Sequence, residues 1–178
     1  MNIKIFACLT ERHLTLFGTI VQWFAHHELL MQRIMAKVIG ADSAAAILLT
    51  RGLKFDDKRH TLLDLLRHRS VPLDQFDAVH NYLMIPHTLS RLCDDIEHSA
   101  WIAGPSLNSI QPDWVLRPLP TIKPMHKAAD TQSGNFIEDY ADRVEYTLDD
   151  LAEAVETLSK NYGLFSDYVH EVGLIDKG

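Results

Sequence analysis

A chain of 178 residues with 47% hydrophobic composition is of single-domain size and too apolar to be disordered. Its net charge of −7 argues against generic, charge-driven binding to DNA or RNA. Cys8 and Cys93 form neither a metal spacing nor a disulfide framework, so a reducing compartment is expected.

No apolar run reaches the roughly 18 residues a membrane span needs. Residues 1–8 lack the pattern of a signal peptide. The expected location is cytoplasmic, with no membrane partner.

Apolar steps of three and four through Phe17, Ile20, Val21, Phe24, Met31, Ile34 and Val38 predict a helix over about 10–39, stopped at Gly40. Asp42 or Ser43 caps a short alanine-rich helix that Gly52 ends. A third helix is predicted over about 56–69, with Leu62, Leu63, Leu65 and Leu66 inward and a basic end that suits the helix dipole. Pro72 and Asp74 open a fourth segment to about residue 101, with Phe76, Val79, Leu83, Leu89, Leu92 and Ile96 as core positions. Pro86 inside it predicts either one kinked helix or two joined by a tight step.

Five of the seven prolines fall in 103–146, an irregular insertion. Residues 114–117 and 143–146 read as two short strands of a hairpin around the polar loop 130–135. Thr147, followed by Asp149 and Asp150, opens a last helix to about Val172, with Leu151, Ala154, Leu158 and Phe165 on its apolar face. The expected fold is mostly all-α: one domain over 1–178, a bundle of four to five helices with a small β-hairpin before the last.

The chemistry concentrates on the fourth segment. Arg91 and His98 are seven residues apart, close to two helical turns, and so project from nearly the same side. An arginine holds a phosphate with a planar fork, and a histidine exchanges protons near neutral pH, a pairing suited to phosphodiester cleavage. The competing reading is a solvated face, with Arg91–Asp95 and Asp94–His98 as i,i+4 ion pairs.

Glu28 lies between Phe24 and Met31 near the apolar face of the first helix. Either it meets a cation from another helix, with Arg91 or His98 the expected partner, or it sits at the edge beside Arg33. His26 and His27 are adjacent and point about 100° apart, and no Glu-x-x-His pairing of a metal bundle is present. No metal and no cofactor are expected. Trp101, Trp114, Tyr140 and Tyr146 suit core or hairpin packing better than base stacking.

An arginine, an intervening stretch and a histidine late in a helical bundle resemble the HEPN superfamily (higher eukaryotes and prokaryotes nucleotide-binding). Three further features resemble uncharacterised bacterial members: Trp23-Phe-Ala-His-His-Glu28 in the long first helix, the alanine-rich second helix, and His98-Ser-Ala-Trp101 before a hairpin and final helix. The resemblance implies a homodimer. It also implies a metal-independent ribonuclease, of toxin or defence type, with the site at the dimer interface. His98 would then be the acid/base, Arg91 would hold phosphate or orient the histidine, and Asp94 would take the polar position after the arginine, with Glu28 as a further member. The commonest form of the motif has its arginine five residues before the histidine, a position held here by Cys93. The resemblance therefore also admits a non-catalytic dimerisation module that binds a nucleotide or a protein.

Overall fold

The computed structural model describes residues 8–113 and 145–175. Among them five helices pack around one apolar core: α1 Glu11–Ile39, α2 Ser43–Thr50, α3 Phe55–His68, α4 Leu73–His98 and α5 Leu148–Glu171. A two-stranded antiparallel sheet, β1 Ala100–Ala103 with β2 Ile110–Asp113, precedes α5. The mostly-α class and the hairpin before the last helix are as the periodicity predicts.

Local chemistry explains the helix ends. Thr10 Oγ1 accepts the His13 N–H at 3.3 Å, while the His13 ring Nδ1 accepts the Thr10 N–H at 3.1 Å. This is a capping box with an imidazole in the place usual for a carboxylate. Gly40 closes α1 in the left-handed region, at φ 72°, where a side chain would be strained. Asp42 Oδ1 then accepts the Ala45 N–H at 2.8 Å and starts α2. Thr147 and Asp150 form a second reciprocal cap at α5, each accepting the other's main-chain N–H.

Of the two forms open for the Pro86 segment, the structure has one continuous helix across it. The core joins Ile20, Met31 and Ile34 of α1 to Leu62 and Leu66 of α3, Val79 and Leu83 of α4, and Leu151, Leu158 and Phe165 of α5. Val21 and Val38, expected inside, pack at its margin.

The described hairpin occupies residues 100–113, ahead of the strands expected from the sequence. α4 stops at His98, three residues short, because Ser99 turns to extended backbone (ψ 146°) and Trp101 enters β1. Burial of the indole rewards that turn: Trp101 sits 4.7 Å from the Phe17 ring and 5.9 Å from the Tyr146 ring, centroid to centroid. At the turn the main chain approaches closely, and a side chain in place of Gly104 would collide with Ser109. Tyr146 bridges Ile110 through two main-chain hydrogen bonds, of 2.8 and 2.9 Å. The strand expected at 114–117, the loop at 130–135, and all of the 143–146 strand except Glu145 and Tyr146 lie outside the described residues.

Candidate functional site

The last two turns of α4 expose Arg91, Asp94 and His98 and bury Leu92, Cys93 and Asp95. Seven residues of helix separate the guanidinium and imidazole positions by roughly 10 Å along the axis, on one flank. The ion-pair neighbour of His98 is Glu97, Nε2 to Oε2 3.8 Å, and both side chains are about half exposed. Asp95 is fully buried and accepts a hydrogen bond from the Tyr146 hydroxyl at 3.1 Å, which ties α4 to the residue preceding α5's cap.

Cys93 occupies the position that the commonest form of the motif gives to arginine, and it faces the interior. Its thiol donates toward Glu97 Oε1 at 3.8 Å. Burial, reinforced by the negative charges of Glu97, Asp94 and Glu28, pushes the thiol far above its ordinary range. The sulfur is therefore a protonated, apolar filler and no nucleophile.

Glu28 does meet a cation from another helix, but the cation is neither Arg91 nor His98. Its Oε2 lies 2.7 Å from Nζ of Lys58 on α3. Lys58 is buried, and a buried ammonium without a counter-ion is costly, so the site of Glu28 is set by the lysine it neutralises. Glu28 still lies close enough to α4 to act on Cys93.

Arg91 lines an open groove of about 540 Å³ between α4 and α5, beside Leu89, Tyr146, Asp150 and Glu153. A second depression, of about 610 Å³, shares Ile85 and Thr157 with the first and carries it on toward Tyr82, Asn161 and Leu164. His98, Asp94 and Glu28 do not line either one. The structure thus pairs Glu28 with Lys58, leaves Asp94 exposed, places Arg91 at the groove, and leaves His98 on the last turn of α4, outside the groove lining.

Two polar clusters escaped the sequence reading. His27 is completely buried, with Nε2 2.9 Å from Asn161 Oδ1 and Nδ1 2.8 Å from the Trp23 carbonyl. Between α3 and α4, His87 Nδ1 lies 2.6 Å from Asp56 Oδ1. Buried Arg59 reaches the same carboxylate at 3.5 Å and His60 Nε2 at 2.9 Å. The signal was present: His27 falls three residues after Phe24 and four before Met31, and Lys58 four before Leu62, all inward positions.

The aromatics Trp101 and Tyr146 are buried against the core, Tyr146 at the wall of the groove. Trp114 and Tyr140 lie outside the described residues. Among the described residues, no group of three or more His, Cys, Asp or Glu is arranged to hold a metal ion, and no helix is long and apolar enough to cross a membrane. Comparison with protein-family models, curated proteins and solved structures gives no match to this chain.

Proposed function

We propose that the chain is a HEPN-like, non-catalytic interaction module that works as a homodimer. The observation that supports this reading most is the inward-facing Cys93 at the position where an arginine would serve catalysis. The location of Arg91 at a groove that His98 does not line agrees with it, because phosphodiester cleavage needs the two groups on one phosphate. The groove itself supports a binding role. It follows two helices, is apolar at Ile85, Leu89, Leu92 and Ala154, and carries charge at its rim, the form in which a bundle accepts a helix. Light scattering on the purified chain is expected to give twice the chain mass, and incubation with RNA in chelator is expected to leave the RNA intact. A monomer would refute the dimer, and cleavage would refute the non-catalytic role.

A second reading, a metal-independent ribonuclease of toxin or defence type, is favoured by one observation: Arg91 and His98 are both exposed on the same flank of α4. Two copies meeting there would place both side chains at the seam. Under this reading RNA is cut without metal to leave 2′,3′-cyclic phosphate ends, and His98→Ala abolishes the cut. Equal cleavage by that variant excludes it.

A further inference from the structure

Helix α2 carries no charged side chain and touches the bundle chiefly through α1. It buries Ala46 and Thr50, whose Oγ1 accepts from Gln32 Nε2 at 2.9 Å, and leaves Ile47, Leu48 and Leu49 exposed. Leu48 and Leu49 are 63% and 73% exposed. Three consecutive residues, about 100° apart, spread over more than half the helix circumference, so the exposed apolar surface is a convex ridge. Water does not favour such a ridge on a lone chain.

The charges around the ridge oppose those of the whole molecule. Between Arg33 and Lys54 the chain has four cations, Arg33, Lys37, Arg51 and Lys54, all exposed, against one acid, Asp42, which caps α2. The net charge of the full chain is −7. The groove between α4 and α5 leans the other way, with two acids, Asp150 and Glu153, against one cation, Arg91. Its floor is Leu89, Leu92 and Ala154, and its α5 wall presents Asp150 and Glu153. Asp149 and Glu156 are exposed on the same half of α5, where there is no cation.

We infer that the groove takes α2 of a second copy of this chain, apolar ridge into apolar floor and cationic rim against acidic wall. The inference rests on the homodimer reading above and names its two surfaces. The two surfaces also lie at opposite ends of the bundle. Phe17 stacks near Trp101 and Tyr146, while Trp23 stacks on Tyr162, so α1 and α5 run parallel. α2 follows the C-terminal end of α1, and the acidic wall belongs to the N-terminal half of α5. Two chains set antiparallel exchange both contacts at once, which closes a two-fold dimer.

Light scattering and sedimentation on the full-length chain test the inference. Leu48→Glu with Leu49→Glu should weaken dimerisation at least about tenfold, with unchanged circular dichroism, since both side chains are exposed in one copy. Arg51→Glu, a charge reversal at an exposed position, should weaken it and flatten its dependence on salt, with circular dichroism checking that the fold is kept. Glu153→Arg should do the same, and combining it with Arg51→Glu should restore part of the loss. A dimer indifferent to all these changes overturns the inference and leaves the homodimer reading standing. A wild-type chain that stays monomeric at high concentration overturns both.

Discussion

The Nε2 of His27 on α1 lies 2.9 Å from the side-chain amide of Asn161 on α5, in a completely buried contact between the two helices that share the longest packing face. The other ring nitrogen faces the Trp23 carbonyl at 2.8 Å, and a carbonyl can only accept. With the Trp23 carbonyl at Nδ1 and Asn161 Oδ1 at Nε2, both neighbours are acceptors, so each favours the protonated ring and opposes the burial that lowers its pKa. Asn161→Leu leaves the imidazole unpaired and is expected to destabilise the fold by about 1–3 kcal/mol in urea denaturation. Asn161→Asp is expected to raise the His27 pKa above its wild-type value, read by NMR titration of the ring. No upward movement would mean that the amide does not face the ring.

Two histidines make stability depend on pH. Burial holds the pKa of His27 below the ordinary histidine value, against the opposing hydrogen bonds to Trp23 and Asn161. Burial does the same for His13, with the Asn108 main chain opposing. A folded-state pKa below the unfolded value means that the folded chain binds fewer protons between the two. The stability is then complete above the unfolded pKa of about 6.5 and is lost as pH falls toward the folded values. His13 adds a local consequence, because protonating Nδ1 removes the acceptor that holds the Thr10 N–H and loosens the first turn of α1. Unfolding free energies should decline steadily below pH of about 6.5, and His27→Gln should reduce the slope. A flat profile from pH about 7 to 5 would contradict the assignment.

The Glu28–Lys58 pair predicts an asymmetry between single and double substitutions. Glu28→Ala strands an ammonium that is 5% exposed, and a loss of about 2–3 kcal/mol is expected, below the full figure for a buried pair because the carboxylate is partly solvated. Lys58→Met keeps the volume and removes the stranded charge, so Glu28→Gln with Lys58→Met should be closer to wild type than Glu28→Ala alone. Thermal and urea midpoints of the three variants decide it, and a double variant worse than the single would show the charges to be favourable in themselves.

Cys93 should react with a thiol reagent only on unfolding. Its sulfur is buried and its pKa is raised by burial and by three nearby carboxylates, so the thiolate is scarce at neutral pH. Mass spectrometry of native protein after brief alkylation should find Cys93 unmodified, and the same treatment in denaturant should modify it. Rapid native labelling would place the sulfur at the surface and reopen the position to chemistry.

Much of the architecture could be read from the chain. The spacing of Phe17, Ile20, Phe24, Met31 and Ile34 located α1, and Gly40, Asp42 and Thr147 marked helix ends at the positions where they act as caps. Those signals are local, written within one turn of helix. What failed was tertiary. Nothing within four residues of Trp101 reveals that Phe17 will cover it, so the end of α4 was placed too late and the strand that Trp101 enters was not foreseen.

The candidate site was less legible for the same reason. Periodicity put Arg91 and His98 on one flank of α4, but the groove beside Arg91 is made by α5, some sixty residues away in the chain. Glu28 was recognised as needing a cation, yet pairing it with Lys58 depends on the crossing of α1 and α3. His27 carried a readable inward position and was set aside with His26, because a doublet suggests metal chemistry before it suggests a core imidazole.

The bridge between Ile110 and Tyr146 fixes both shores of the stretch that joins β2 to α5. β2 ends at Asp113, and Tyr146 pairs with Ile110 of the same strand, so the residue before the α5 cap lies against the sheet. Through that bridge, and through the Tyr146 hydroxyl on Asp95, the start of the last helix is anchored from two sides, to the sheet and to α4.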